Sequence, residues 1–446
     1  MRDSAVREYK RHVKTKKKWA PTSVNQALAA IDNFYRLSAG PCSCPTQREP
    51  TGVLPVTAIA PTTRPAGPPA TAHVGMVGGG QLARMTHQAA IDLGITLEIL
   101  TQSATDPAVL AGARHVPGSP GSLDALLSLA ERCDVVTLDH ELVPAEHLDT
   151  LQAAGYAVRP HAEALRLAQD KFLARQTLDQ AGFAVPPHMA ADGGDLDAVQ
   201  LFAEWSGWPI VVKSRRGGYD GRGVHVVHDL DSARALLASN PPGGWFLEAH
   251  VPIACELAVL VARRPSGWTA TYPVVETHQH DGTCRELVMP ARVPDDVAAA
   301  ATRLAKSVAD GIDATGILAV ELFLTSAGDL IVNELALRPH NSGHATIEAT
   351  VTSQFQNHLR GILDWPLGST EMVAPAAATV NVLGPPSGDD PARHLAAALS
   401  VPGASVHLYA KHARPGRKLG HVTALGADQT EALDTARAAA RLLLGE

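Results

Sequence analysis

The chain has 446 residues, 45% of them hydrophobic, and a formal net charge of −7. That length allows large cores and about three domains, and the acidic balance argues against a general nucleic-acid or anionic-membrane binder. No run approaches the ~18 apolar residues of a membrane span, no apolar signal core is evident near the start, and the five cysteines form neither a disulfide framework nor a CxxC knuckle, which fits a reducing cytoplasm.

Residues 1–72 differ in character from the rest of the chain. Lys and Arg crowd the stretch up to Lys18, a helix-like pattern runs from Pro21 to Leu37, and residues 38–72 are rich in Pro, Thr and Ala without periodicity, which reads as a disordered linker. Trp19-Ala-Pro-Thr-Ser-Val-Asn25 and Ile31-Asp-Asn-Phe-Tyr35 resemble a fragment of the DNA-gripping domain of tyrosine recombinases. No recombinase catalytic part follows, so this segment is read as a dispensable extension rather than a second function.

The globular part begins at His73. His73-Val-Gly-Met-Val77 is a buried strand, Gly78-Gly-Gly80 a tight loop, residues 81–93 an amphipathic helix ended by Gly94, and residues 95–100 a second strand. With Asp134-Val-Val-Thr-Leu138 this alternation indicates a parallel, doubly wound first domain. Helices around residues 161–182 precede strands at 209–213 and 224–227 and a helix over 231–239. The pattern then turns β-rich, with strands at 245–251, 255–263 and 270–276, and a helix over 294–310. Past Pro366, short strands and a helix over 431–444 suffice for a small further domain.

Next after the helix at 294–310 comes a β-hairpin. Leu318-Ala-Val-Glu-Leu-Phe-Leu-Thr325 and Leu330-Ile-Val-Asn-Glu-Leu335 flank the turn Ser326-Ala-Gly-Asp329, and the symmetric register pairs Thr325 with Leu330 and hence Glu321 with Glu334. Opposed side chains lie roughly 4.5 to 5.5 Å apart at Cβ, where like charges repel unless a cation lies between them. Carboxylates beside Asn333, with no Cys or His in the hairpin, favour Mg²⁺ over zinc.

Other residues invite chemistry. Gly78-Gly-Gly-Gln-Leu-Ala83 fits G-x-G-x-x-A after a strand, with Glu98 closing the next strand, the pattern of a nicotinamide-dependent dehydrogenase; the same glycines suit any phosphate. Lys213 ends an apolar strand and needs an anionic partner. The loop after it, Ser214-Arg-Arg-Gly-Gly-Tyr-Asp-Gly-Arg-Gly223, can close backbone amides over a polyphosphate. Glu248 and Glu256 flank a bend in hydrophobic strands and could accept hydrogen bonds from a ribose or an amino group. His340 and His344 raise a zinc alternative, disfavoured by the missing HExxH. Lys411, Arg414, Arg417, Lys418 and His421 suit a phosphomonoester.

Together these features resemble ATP-grasp enzymes, and more closely the N5-carboxyaminoimidazole ribonucleotide synthase family. Six ordered motifs carry the resemblance: Gly78-Gly-Gly-Gln-Leu-Ala-Arg-Met85, Gly217-Gly-Tyr-Asp-Gly-Arg-Gly223, Tyr272-Pro-Val-Val-Glu276, Asn333-Glu-Leu-Ala-Leu-Arg-Pro-His-Asn-Ser-Gly-His344, Ser353-Gln-Phe355 and Arg417-Lys-Leu-Gly-His421. The resemblance implies an α/β ATP-grasp fold. Its parts would be a doubly wound parallel-sheet domain at 73–165, the ATP-grasp domain at 166–365 with a lid over about 185–255, and a small C-terminal domain at 366–446. It also implies a homodimer and a place in purine biosynthesis. ATP would activate bicarbonate as carboxyphosphate, and the amine of 5-aminoimidazole ribonucleotide would capture the carboxyl group.

By the same resemblance Lys171 and Lys213 would meet ATP phosphates, Gly218, Tyr219, Asp220, Gly221, Arg222, Gly223 and Val224 would form the glycine loop over them, and Glu248, Ala249, His250 and Val251 would hold the adenine edge. Glu256 would bind ribose and Gln279 would stand near ATP, where many relatives have histidine; Glu321 and Glu334 would hold Mg²⁺ beside Asn333. Gly79, Gly80, Gln81, Glu141, Tyr219, Asp220, Arg222, Arg338, His340, Asn341, Lys411, Arg417 and Lys418 would surround the ribonucleotide, with Lys213, Asp220, Arg338 and His340 as the catalytic side chains. Leu337 replaces a usual proline. The rival enzyme readings are another ATP-grasp ligase, such as a formate-using ribonucleotide transformylase, and the dehydrogenase; the non-enzymatic rival is a DNA-associated protein.

Overall fold

Short buried strands alternating with amphipathic helices build the first sheet. β1 (His73–Val77), β2 (Thr96–Thr101), β3 (Arg114–Pro117) and β4 (Val135–Leu138) run parallel in the order β3-β2-β1-β4. The helix Gln81–Asp92 turns Leu82, Met85, Ala89 and Ala90 onto this sheet, a spacing set by 3.6 residues per turn. Strand order reverses between β1 and β4, so the loops leaving their carboxyl ends flank the crevice where open α/β sheets take ligands. The computed structural model describes residues 72–191, 195–218, 221–239 and 241–446; the extension up to residue 71, and Tyr219 and Asp220, lie outside the described residues.

A second, antiparallel sheet comes next. β5 (His188–Ala191), β6 (Ile210–Ser214), β7 (Val224–Val227) and β8 (Trp245–Ala249) adopt the order β5-β8-β6-β7. Helices Leu196–Ser206 and Leu230–Leu237 cover one face, burying Val199 and Phe202 with Ile210, Val212 and Leu247. The glycine-rich loop connects β6 to β7.

The remaining strands form one large sheet: β9 (Ile253–Arg263), β10 (Thr269–Thr271), β11 (Val275–His280), β12 (Thr283–Met289), β13 (Gly316–Thr325), β14 (Leu330–Ala336), β15 (Ala376–Leu383), β16 (Ala404–Leu408) and β17 (Lys418–Gly426). Their order is β14-β13-β9-β11-β12-β15-β17-β16, with β10 added to β9. The stretch read as one strand over 270–276 is two, interrupted at Tyr272-Pro-Val274, where proline cannot donate to a ladder. The C-terminal strands extend the central sheet, because β15 pairs with β12. On one face Leu257, Val259, Val261, Leu318, Val320 and Leu322 pack against Ala301, Ala305 and Val308 of the helix Asp295–Gly311. That leaves the alternate residues of β9 and β13 for the other face.

One imidazole joins these layers. His358, fully buried on the helix Gln354–Ile362, accepts the Ile317 amide of β13 at Nδ1 (3.2 Å), so Nε2 carries the proton and faces Thr137 Oγ1 of β4 at 3.0 Å. Burial pushes its pKa down to about 3 from the ordinary 6.5. Between those values the unfolded chain binds a proton here and the folded chain does not, so the free energy of unfolding falls as pH falls through that window. His358→Leu orphans two buried groups and should cost about 1–3 kcal/mol, while flattening the loss of melting temperature on acidification below pH 6.5. Thermal melts across pH check this; a variant that tracks the parent at every pH contradicts it.

Candidate active site

The loops of the first sheet, the glycine loop of the second and the open part of the second face of the third enclose a cleft of about 1250 Å³. Of the residues singled out by sequence, its wall contains Gln81, Glu141, Lys171, Lys213, Gly218, Gly221, Arg222, Val224, Glu256, Gln279, Glu321, Asn333, Glu334, Arg338, His340, Asn341 and Lys418. Gly79, Gly80, Gly223, Glu248, Ala249, His250, Val251, Lys411 and Arg417 are not part of that wall.

The acidic hairpin owes its geometry to a bulge. The expected pairing of Thr325 with Leu330 does not occur: Leu324 pairs with Leu330 and Leu322 with Val332, yet Glu321 still faces Glu334 because the register shifts at Asn333. In an unbroken ladder Asn333 and Glu334 would point to opposite faces. With one extra residue on β14, both enter the cleft, while Val332 and Leu335 on either side stay in the core. Asn333 Nδ2 then lies 3.5 Å from Glu321 Oε2.

Charge on this face is uneven. Glu334 is held below the usual carboxylate range despite its burial, because Lys171 Nζ lies 2.5 Å from Oε1. Glu321 faces His340 Nε2 at 3.6 Å rather than an ammonium, and burial with the charges of Glu334 and Glu256 pushes it up to about 7. Burial raises Glu256 as well. The two opposed carboxylates are hard oxygen donors of which only Glu334 has an ammonium beside it, which fits a hard divalent cation. Among the described residues no group of three or more His, Cys, Asp or Glu side chains is arranged around a metal position. His340 and His344 do not converge as a zinc pair would: His344 stacks on His421 with ring centres 4.6 Å apart.

Behind the cleft sits a buried ion cluster. Glu248, 2% exposed, accepts from Arg175 Nε and pairs with Lys213 Nζ, both at 2.5 Å, and the two cations hold it down at about 2 against the opposing effect of burial. Both oxygens of its carboxylate are therefore engaged by cations in the layer behind the cleft. Lys213 stays beside the core with its pKa lowered by burial and supported by Glu248. The glycine loop is tied down at its base: Arg215 donates to Asp170 at 2.8 and 3.2 Å, and the Lys171 amide donates to Arg215 O. At its tip Gly221 meets Gly282 of the β11–β12 turn so closely that a Cβ on Gly221 would lie 2.7 Å from Gly282 Cα.

The first sheet contributes differently from the dinucleotide pattern. Asp139, after β4, accepts the amides of Gly80 (2.6 Å) and Ala83 (2.8 Å), so a carboxylate already caps the helix that would cradle a pyrophosphate. Glu98 does not close β2, which runs on to Thr101; it is buried in mid-strand and paired with Arg132 at 3.2 Å. Both features that supported a dehydrogenase are thus used for structure. Gln81 instead receives a hydrogen bond from Lys411, and Arg338 Nε lies 2.8 Å from Glu141, joining the C-terminal loop and the loop after the acidic hairpin to the first sheet.

Comparison with known proteins agrees along the chain. A family profile for the ATP-grasp domain matches residues 176–355, one for the ribonucleotide synthetase preATP-grasp domain matches 71–169, and one for the phosphoribosylaminoimidazole carboxylase C-terminal domain matches 377–435. The N5-carboxyaminoimidazole ribonucleotide synthase of Mycobacterium tuberculosis is 49% identical over 380 residues, spanning 83% of this chain and 87% of that protein. The chain belongs to the N5-carboxyaminoimidazole ribonucleotide synthase family. The enzyme of that name from Synechococcus elongatus is 41% identical over 80% of this chain and 91% of its own length. The Aspergillus clavatus enzyme, solved with ADP and 5-aminoimidazole ribonucleotide, superposes with a TM-score of 0.79 at 33% identity, covering 84% of this chain and 99% of that one. The Thermotoga maritima enzyme gives 0.74 at 35%, covering 83% and 98%. The chain is accordingly an ATP-binding ligase of the ATP-grasp type.

Within this synthase fold, four residues that hold the cleft together were given no role by sequence reading, although Gln354 lies in the quoted motif Ser353-Gln-Phe355. Asp170 anchors the glycine loop, Arg175 bonds Glu248 and lies 3.4 Å from Asn333, Asp139 caps the first helix, and Gln354 clamps the His340 backbone through both its amide groups (2.8 and 2.7 Å). Arg175 did leave a signal, since it follows Lys171 by one helical turn on the same face. Arg175→Met leaves buried Glu248 with one cation and should cost about 3 kcal/mol. Urea denaturation measures it, and a variant as stable as the parent refutes the role given to this cluster.

Proposed function

We propose that this chain carboxylates 5-aminoimidazole ribonucleotide, consuming ATP and bicarbonate and releasing N5-carboxyaminoimidazole ribonucleotide, ADP and phosphate. The observation that carries the reading is one cleft joining a glycine loop with its lysines, an opposed carboxylate pair and a cationic approach from the C-terminal strands. A bicarbonate oxygen attacks the γ-phosphorus of ATP and ADP leaves; the ribonucleotide amine then bonds to the carboxyl carbon, losing a proton, and phosphate leaves. No nucleophilic side chain is needed, so the protein acts by positioning and by charge.

Lys171 and Lys213 would hold the phosphate oxygens, with the backbone amides of Gly218, Gly221, Arg222, Gly223 and Val224 closing above them. The adenine edge would meet the backbone of Glu248, Ala249, His250 and Val251, and Glu256 with Gln279 would serve the ribose side. Glu321, Glu334 and Asn333 would hold Mg²⁺, which when bound offsets negative charge on the triphosphate. The ribonucleotide would lie toward Gly79, Gly80, Gln81 and Glu141, with Arg222, Arg338, Asn341, Lys411, Arg417 and Lys418 around it. His340, held neutral by burial with its pKa at about 3, would orient substrate without adding charge. Family resemblance further supports a homodimer, and the cysteine spacing a cytoplasmic setting.

ADP release, followed with ATP, Mg²⁺, bicarbonate or ribonucleotide left out in turn, tests the assignment: omission of any one should stop it. Release without the ribonucleotide, or restored by formate in place of bicarbonate, rejects it. Glu334→Gln should lower turnover by more than about a hundredfold and raise the Mg²⁺ requirement; a variant with the parental Mg²⁺ dependence contradicts the metal assignment.

A further inference from the structure

A column of aromatic rings stands outside the groups used so far. His344 stacks on His421 with centres 4.6 Å apart and planes 26° apart, and His421 stacks on His407 at 4.4 Å and 13°. His344 ends the loop leaving the acidic hairpin, whereas His421 and His407 are a cross-strand pair on β17 and β16. His344 and His421 are 1% and 0% exposed, and burial and their imidazole neighbours hold both well below the usual histidine range. The neutral His344 and His421 rings can stack in this way beside a cationic loop, and His407 at the end of the column meets Glu348 at 2.6 Å.

His421 also reaches sideways. Its Nδ1 lies 2.7 Å from the hydroxyl of Tyr409, which is itself 1% exposed, and the Tyr409 ring lies under the Lys411 ammonium, 5.6 Å from its centroid. Lys411 in turn donates to Gln81, at the turn after β1. A buried phenol needs a hydrogen-bond partner, and the imidazole that supplies it fixes the ring's orientation. The base of an otherwise long and adaptable lysine is set in this way.

We propose that His421 is a positioning residue for the ribonucleotide: by holding Tyr409 beneath Lys411 it places that ammonium over the turn after β1, in register with the loop that leaves the acidic hairpin. The inference rests on the substrate reading above. Two variants test it. His421→Phe keeps a ring in the column but removes the partner of the phenol; Tyr409→Phe keeps the ring under Lys411 but removes the hydroxyl.

Each should raise the KM for 5-aminoimidazole ribonucleotide about 3- to 10-fold, the worth of one buried hydrogen bond, with the KM for ATP unchanged. The double variant should be no worse than the larger single one, because both break the same contact. If His421→Phe melts below the assay temperature, Tyr409→Phe decides alone. Parental ribonucleotide KM in the variants, equal shifts in both KM values, or additive effects overturn the inference while leaving the substrate reading intact. A parent enzyme with no ribonucleotide-dependent ADP release overturns both.

Discussion

Carboxylates crowded on one sheet face, and unevenly neutralised, are the constraint on which the rest of the cleft depends. Glu256, Glu321 and Glu334 all line the cleft, and the cations nearby are shared unequally. Lys171 serves Glu334, and Lys213 with Arg175 serves Glu248 in the layer behind. Buried ion pairs gain little unless every lone pair is met, and here Glu248 is met by two cations while Glu321 faces an imidazole at 3.6 Å. The imbalance is directional. It leaves negative charge at the front of the cleft, where a cation accompanying a nucleotide can approach, and keeps the compensated charge behind, where it locks strand β8 to the helix Lys171–Gln180.

The acid pair was legible in the sequence, but by a register that was wrong at the turn. Alternation fixes which residues share a face only while the ladder is regular. The shift at Asn333 breaks it, and no local pattern of residue types announces a bulge in Leu330-Ile-Val-Asn-Glu-Leu335. Glu321 still met Glu334 because a one-residue offset at the turn and a one-residue bulge cancel. The glycine loop and Lys213 could be read because glycines and a lysine at the end of an apolar strand conflict with any ordinary hairpin. Asp170 and Arg175 were harder to read: Asp170 also caps the helix Lys171–Gln180, and the one-turn spacing of Arg175 from Lys171 gives a shared face but not the buried partner that only the tertiary contact shows. Likewise β12 was missed: Thr283-Cys-Arg-Glu-Leu-Val-Met289 carries two charges near its middle, and the partner of Glu286, Arg437, is distant in sequence.

The glycine motif after β1 shows how one pattern can have two physical causes. In a dinucleotide fold, glycines let a pyrophosphate approach the helix N-terminus. Here the strand order is the same, but the group that approaches is Asp139: a Cβ on Gly80 would lie 2.5 Å from its Oδ2. A carboxylate from the neighbouring loop has taken the place of the ligand anion, and the helix dipole is used to fasten β4 to the first helix.

That substitution has a consequence for the architecture. With the helix N-terminus filled, the first sheet has lost its usual means of holding a phosphate, and cations must come from elsewhere in the chain. On the proposed reading they come from the C-terminal strands. Continuing the central sheet through β12 and β15 carries β16 and β17 round to the first sheet, where Lys411 reaches Gln81 and Lys418 enters the cleft. A separate appended domain would need a large interface of its own to hold those lysines to within a hydrogen bond of the β1 turn. Sharing one sheet supplies that precision through backbone pairing, so the C-terminal segment extends the sheet that bears the acids and brings the two halves of the cleft into fixed relation.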